Sequence, residues 1–344
     1  MPLYSDIPEP MEPKDAAVPS IRKDREVIIV GGGLAGISAA IYLGRALRDV
    51  LVIDAGESLA LWEPEAQNYL GFPSISGAEL LDRGRKQARG YGAEFVKDEI
   101  CKVCRQGAMF VLDAVESTYR AKRLLLATGV YHLPPKIPES DACIGRSMFF
   151  CKDCDGYRVQ NKRVVVVGAN DSAAEYALGI LLYSPHVMIA TNGQVPHWDV
   201  QHTGWIAEYE IPVYQDPITC VEHKKGHIEC IQFGEKHRIA ADCLFTTRGD
   251  VFHNKLAQEL GAELDAHGQV VVDKCQRTNV AGLYAAGCVT PANCQMIIAA
   301  GNGATAAQAI NRDLFEESLA SHSLRNLREK QLQTAETEPH VLAS

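Results

Sequence analysis

No apolar run in these 344 residues approaches the roughly 18 that a helix needs to cross a bilayer, and no signal-peptide apolar region opens the chain. A cytoplasmic location without membrane attachment is the expectation. A basic surplus is missing too. Thirty-four lysines and arginines face 43 aspartates and glutamates, a formal net charge of −9, whereas a nucleic-acid or anionic-membrane binder carries the opposite sign. With 47% hydrophobic and 22% charged residues, the bias that marks disordered or fibrous chains is absent as well. Cysteine is what the chain has in quantity, 11 in all. An odd count in a chain this long is not the paired framework of a small secreted protein. Cys220, Cys230, Cys243 and Cys275 stand singly among apolar neighbours and are expected to be buried thiols.

The length allows two domains with separate cores. Residues 1–24 carry Pro2, Pro8, Pro10, Pro13 and Pro19 among isolated charges and read as a flexible leader. At Val27-Ile28-Ile29-Val30 the pattern becomes that of a buried parallel strand ending in glycines. Small and apolar residues then recur at helical spacing from Leu34 to Leu47, and Val50-Leu51-Val52-Ile53 supplies the next strand. The same unit returns at Val164-Val165-Val166-Val167, with a helix to about Leu182 and a strand at Val187-Met188-Ile189-Ala190. This repeat predicts an α/β chain with two Rossmann-like, FAD/NAD(P)-binding-type domains. A proline-rich connection, Pro134-Pro135 to Pro138, separates the two halves. Near the end, a small-residue helix is expected from about Ala300 to Leu314, followed beyond Glu317 by a polar tail read as one helix and then a frayed end.

Between the first strand and helix lies Gly31-x-Gly33-x-x-Gly36. Gly31 permits the tight turn, Gly33 lets the backbone approach a pyrophosphate, and Gly36 allows close helix–strand packing. Asp54 closes the second strand, where a carboxylate can bind a ribose hydroxyl. The plain alternative is a glycine turn that packs and binds nothing. In the second unit, Gly168 is followed by Ala169-Asn170-Asp171-Ser172-Ala173, so Asn170 stands where the phosphate-approaching glycine should be. No arginine occurs between Arg163 and Arg238 to meet a 2′-phosphate, which disfavours NADPH. Gly168, Asn170, Ser172 and Ala173 thus mark a degenerate second nucleotide site.

Cys151-Lys152-Asp153-Cys154-Asp155-Gly156 combines a redox-type Cys-x-x-Cys with an acid able to relay a proton. The alternative is half a zinc site, which needs a second ligand pair. Cys101-x-x-Cys104 is the one candidate, but it falls in a strand-like stretch where residues three apart point to opposite faces. Redox chemistry without metal is the reading adopted. Cys288 and Cys294 are read as small residues in a buried turn; the sharper alternative is a redox-active cysteine beside a cofactor.

Assembled in order, these residues resemble the thioredoxin reductase family over roughly residues 25–315. The resemblance rests on Gly31 to Gly36, Asn68-Tyr69-Leu70-Gly71-Phe72-Pro73 with Ile75-Ser76-Gly77, Ala127-Thr128-Gly129, Cys151 to Gly156 and Ala285-Ala286-Gly287. It implies a two-dinucleotide-binding-domain flavoprotein. The FAD domain would span 25–140 and 250–317, a Cys-x-x-Cys-bearing domain 141–249, and a tail 318–344. The resemblance further implies a homodimer with FAD bound by Gly31, Gly33, Gly36 and Asp54. Asn68, Thr128, Gly129, Gly287, Cys288 and Gln295 would complete that site. Cys154 would face the flavin, Cys151 would attack the partner disulfide, and Asp155 would be the acid/base. Two departures stand out: Cys288 replaces the aspartate usual after Ala-Ala-Gly, and Asn293-Cys294-Gln295 replaces Tyr-Arg-Gln.

The leading expectation is therefore an FAD-dependent dithiol/disulfide oxidoreductase acting on a protein disulfide such as that of thioredoxin, or on a small dithiol or disulfide. Its reductant would be a second FAD in the degenerate site or ferredoxin rather than NADPH. Ferredoxin is itself acidic, so the −9 charge opposes its docking. The alternatives are a dithiol oxidase passing electrons to oxygen, a conventional NADPH thioredoxin reductase and a non-catalytic flavin redox sensor.

Overall fold

A computed structural model describes residues 24–337 except 134, 135, 236, 247 and 248. The expected leader up to residue 23, the Pro134-Pro135 connection and the end of the tail therefore lie outside the described residues. In chain order the elements begin with β1 (Arg25–Val30), α1 (Leu34–Arg45), β2 (Val50–Asp54), α2 (Gly77–Gly90), β3 (Glu94–Lys97) and β4 (Ile100–Gln106). There follow β5 (Met109–Ala114), β6 (Thr118–Leu126), β7 (Val130–His132), β8 (Met148–Phe149), α3 (Lys152–Asp155), β9 (Val164–Val167) and α4 (Asp171–Ile180). Next are β10 (Val187–Ala190), α5 (Val200–Glu208), β11 (Val213–Tyr214), β12 (Ile218–Lys224), β13 (His227–Phe233), β14 (His237–Ala240) and β15 (Cys243–Thr246). β16 (Asp250–Phe252), α6 (Lys255–Glu259), β17 (Leu283–Ala285), α7 (Met296–Ala320) and α8 (Ser323–Thr337) complete the order.

The chain divides into two compact units: residues to Ser58 with Leu81–Gly129 and from Phe252 onward, and Leu59–Leu80 with Val130–Val251. In the first unit the sheet runs β3-β2-β1-β6-β5-β4, with β17 also paired to β6. β1 is parallel to β2 and β6, and β17 is parallel to β6. The all-aliphatic stretch of β1 follows from burial on both faces. Val27 and Ile29 pack with Ala39, Leu43 and Ile310 on one side, Ile28 with Leu51, Phe110 and Leu256 on the other. Close contact between α1 and α7 depends on small residues, since a Cβ on Gly303 would collide with the Ala35 carbonyl.

In the second unit a parallel sheet, β11-β10-β9-β15-β8, lies with a separate antiparallel sheet, β12-β13-β14. Val164 to Val167 form the fully buried central strand. The α/β architecture with two Rossmann-like parallel sheets is therefore as expected.

Details differ. α4 ends at Ile180, short of the expected Leu182, and α7 extends well beyond both expected ends. The one helix expected in the polar tail is present as α8. Residues 59–80, placed with the FAD domain on the sequence, pack with the second unit. Trp62 lies edge-on to Tyr131 with ring centroids 5.7 Å apart, and Glu63 pairs with Arg158 at 3.3 Å. Among the described residues, no helix is long and apolar enough to cross a membrane.

Candidate functional site

Three parallel neighbours, β1, β6 and β17, end side by side in the first unit. Their carboxyl ends carry Gly31 to Gly36, Thr128-Gly129 and Gly287-Cys288 respectively. Ligands in doubly wound sheets bind at such ends. Gly31 adopts φ +108°, and a Cβ there would strike the Ala127 carbonyl. A Cβ on Gly36 would strike the Gly31 carbonyl, so this glycine is fixed by packing. At Gly33, in contrast, the nearest atom to a Cβ is Ser58 Oγ at 3.4 Å, leaving open space in front of the turn. Gly33 is the N-cap of α1, without a side-chain cap or an acidic residue in the first turn. The helix thus presents amides and a positive dipole end to that space. On α7, which packs against α1, Asn302 Oδ1 is buried without a partner among the described residues. A pyrophosphate-bearing dinucleotide such as FAD fits this cradle.

Asp54 is held in place rather than left loose. Its carboxylate accepts from the Gly32 amide at 3.1 Å and the Gly56 amide at 3.2 Å, and pairs with Arg85 at 2.9 Å. Arg85 was not foreseen on the sequence, because α2 brings it back across 31 residues. Thr128 Oγ1 donates to the His253 carbonyl at 2.6 Å, and Gly129 takes φ +71° with nothing near a Cβ. Asn68 is exposed and belongs to the second unit, while Gln295 is the N-cap of α7 in the first.

Cys151 and Cys154 are joined as a disulfide with Cα atoms 5.3 Å apart, both half-buried. Cys151 caps the short α3, and the Cys154 amide donates to its Sγ at 3.1 Å. That donor favours a thiolate on Cys151 once the pair is reduced. Asp155 is buried beside them in sequence, and burial pushes its carboxyl up to about 6, with the nearby charge of Glu63 adding to the effect. Arg158 opposes the rise, donating to Asp155 at 3.0 Å and to Glu63 at 3.3 Å while stacking over Phe149 at 4.7 Å. The sequence reading missed Arg158 and Glu63. Arg158 was findable, since i and i+3 on a helical turn are neighbours; Glu63 is 95 residues away in sequence and was not.

In the second unit the degenerate turn is occupied by its own side chains. Asn170 caps α4, its Oδ1 accepting from the Ala173 amide at 3.2 Å. Asp171 follows in the first turn and accepts from the Asp199 amide at 2.7 Å, and Asp199 in turn binds the His202 amide and ring at 2.8 Å. The His202 amide holds the Asp199 carboxyl below the usual carboxylate range. Gly168 and Ser172 flank this cluster, and Ala173 is buried beneath it.

Two expectations about cysteine need correction. Cys288 and Cys294 are not small residues in a buried turn: they form a disulfide, with Cys288 half-exposed and Cys294 exposed. Of the four single cysteines, Cys243 is buried, whereas Cys220, Cys230 and Cys275 are only half-buried, because strand edges and turns leave one side to solvent. Cys101 and Cys104 are free thiols, in keeping with their strand placement. Among the described residues, the cluster able to gather three metal-ligand atoms is Asp171, Asp199 and His202, and it contains no cysteine.

Comparison with known proteins adds to this geometry. Residues 25–311 match the pyridine nucleotide-disulphide oxidoreductase family. A thioredoxin reductase of Treponema pallidum is 32% identical over 304 residues, covering 83% of this chain and 96% of its own. Another thioredoxin reductase, from Streptomyces clavuligerus, is 31% identical over 302 residues, covering 82% and 92%. The crystal structure of HlmI superposes with a TM-score of 0.83 at 27% identity, covering 89% of this chain and 97% of HlmI.

Proposed function

This chain belongs to the pyridine nucleotide-disulphide oxidoreductase family as a flavin-dependent disulfide oxidoreductase of thioredoxin reductase type, and on that premise we propose that it draws its electrons from a donor other than NADPH. The Cys151/Cys154 pair would deliver them to a protein disulfide, that of thioredoxin being the first choice by similarity to the relatives' activity.

FAD, when bound, supplies the two-electron chemistry. Gly31, Gly33 and Gly36 shape the turn that, with the α1 amides, would hold its pyrophosphate, and Asp54 would hold the ribose. Thr128, Gly129, Gly287, Cys288 and Gln295 would line the same site at the strand ends. Cys151 attacks the substrate disulfide, its thiolate stabilised by the Cys154 amide. Cys154 resolves the mixed disulfide. Asp155, raised to about 6, is protonated often enough near neutrality to hand a proton to the departing thiolate.

The observation that carries the choice of donor is the closed second turn. Asn170 already satisfies an α4 amide that a pyrophosphate would use. Asp171 and Asp199 place negative charge where a dinucleotide would bring more. A second flavin lying on this turn meets the same opposition, while a ferredoxin-class donor does not need the turn but meets the repulsion of the −9 net charge.

The test is anaerobic addition of NADPH to the flavin-loaded protein, followed through the flavin's visible absorption. No bleaching, with dithionite still reducing the flavin, is expected; rapid bleaching by NADPH overturns the proposal. Flavin content then separates the donors. One flavin per chain leaves the protein donor, and two support the second flavin.

A further inference from the structure

Cys288 and Cys294 sit at the carboxyl end of β17, in the same row of strand ends as the Gly31 turn and Thr128-Gly129. Gly287, φ +81°, packs directly on α1: a Cβ there would lie 2.9 Å from Ala35 Cβ. The bridge therefore stands at the edge of the flavin cradle. Its Cα atoms are 4.9 Å apart and only six positions separate the two residues.

A purely structural staple is poorly motivated here. The loop is already held without it, since the Thr290 amide and hydroxyl both bond the Gly287 carbonyl, at 2.9 and 2.7 Å. Gln269 Nε2 donates to the Thr290 carbonyl at 2.8 Å, and the Val270 amide donates to the Val289 carbonyl at 2.8 Å. Val289 and Thr290 are buried. A bridge across so short a loop also restricts the unfolded chain less than one across a long loop. Cys294, meanwhile, is exposed and Cys288 half-exposed, so an incoming thiolate can reach the sulfur. Cys294 lies one residue ahead of Gln295, the N-cap of the 25-residue α7, where a helix dipole stabilises a thiolate.

We propose that Cys288 and Cys294 form a second redox-active disulfide, a site for dithiol exchange distinct from Cys151 and Cys154. A thiolate of the incoming dithiol attacks Cys294 Sγ, forming a mixed disulfide and expelling Cys288 as a thiolate. The donor's second thiolate attacks its own sulfur in that mixed disulfide and expels Cys294. Two electrons and two protons leave the donor, which becomes a disulfide, and Cys288 and Cys294 end as thiols. The step is reversible, so an oxidised dithiol restores the bridge.

The experiment uses flavin-loaded full-length protein, wild type and with Cys151→Ser/Cys154→Ser. With that pair removed, the outcome does not depend on the function proposed above. Each protein is equilibrated without denaturant in a series of reduced-to-oxidised dithiothreitol ratios, quenched in acid, alkylated, and mapped by mass spectrometry at Cys288 and Cys294. A parallel arm replaces dithiothreitol with reduced thioredoxin, separating a protein dithiol from a small one as the source. Alkylation of both cysteines that tracks the ratio in either arm, reverses with oxidised dithiol and leaves the circular dichroism unchanged is the expected result. Labelling only after denaturation shows a structural staple and overturns the proposal. Free thiols at every ratio, including the most oxidising, overturn it equally. Cys288→Ser/Cys294→Ser removes the extra labelled pair, and if that variant fails to fold, the wild-type titration still decides.

Discussion

Arg158 donates to Asp155 across 3.0 Å, yet the carboxyl of Asp155 is still pushed up to about 6, because burial outweighs the guanidinium. The same guanidinium reaches Glu63 at 3.3 Å, so the acid beside the redox pair titrates inside a three-residue charge cluster. Its two partners pull in opposite directions.

From this follows a pH prediction with a definite sign. Asp155 is protonated below about 6 and ionised above it, so a step needing it as proton donor slows as pH rises through that point. Glu63→Gln removes a charge that raises the carboxyl and should move the inflection to lower pH. Arg158→Gln removes one that lowers it and should move the inflection up. Asp155→Asn should abolish the inflection and slow exchange roughly 10²-fold. Stopped-flow rates of substrate-disulfide reduction against pH check all three. Shifts of Glu63→Gln and Arg158→Gln in the same direction would sink the cluster account.

The glycines of the first turn should separate folding from binding. Gly33→Ala meets only Ser58 Oγ, at 3.4 Å, and should change the stability of the flavin-free protein by no more than about 0.5 kcal/mol. It should nevertheless lower flavin occupancy, because the methyl fills the space in front of the α1 amides. Gly36→Ala forces a Cβ against the Gly31 carbonyl and should cost about 1–3 kcal/mol with or without flavin. Denaturant melts of the apoproteins, paired with flavin-to-protein absorbance ratios, distinguish the two. A Gly33→Ala variant that retains full flavin would remove the assignment of that space to pyrophosphate.

What was legible in the sequence was what local pattern controls. The aliphatic runs at 27–30 and 164–167 read directly as buried strands, since both their faces are covered. The Cys151–Cys154 spacing and the Asn170 substitution were plain for the same reason. Long-range partners were not: nothing near Glu63 in the sequence points to Arg158, and nothing near Asp54 points to Arg85. The Cys288–Cys294 bridge escaped because the five residues of intervening loop carry no periodicity from which a pairing can be deduced. Residues 59–80 make their Trp62–Tyr131 and Glu63–Arg158 contacts with residues far along the chain, which the local pattern does not announce.

Asn170 is a helix cap before it is anything else. Asn170→Ala should cost about 1 kcal/mol, and Asn170→Gly only a few tenths, as at other N-caps. Neither change should let NADPH bleach the flavin, because Asp171 and Asp199 keep their charge at the same helix end. Thermal melts and the anaerobic NADPH assay on both variants check this. If Asn170→Gly alone admits NADPH, the acidic pair is not the obstacle.

The two cysteines of the redox pair should behave unequally. Cys151 receives the Cys154 amide on its sulfur, whereas Cys154 follows it into α3. With Cys154→Ser, that amide remains, Cys151 stays a nucleophile, and no thiol is left to resolve what it captures. The variant should therefore accumulate a stable mixed disulfide with a thioredoxin-class substrate, resolvable by added dithiothreitol and visible in the intact mass. Cys151→Ser should trap far less, because Cys154 is assigned to resolve the mixed disulfide rather than to attack the substrate. Substitution at either position should stop turnover, so only the trapping experiment distinguishes the roles. Preferential trapping through Cys154 would reverse the assignment of attacking and resolving cysteine while leaving the disulfide itself in place.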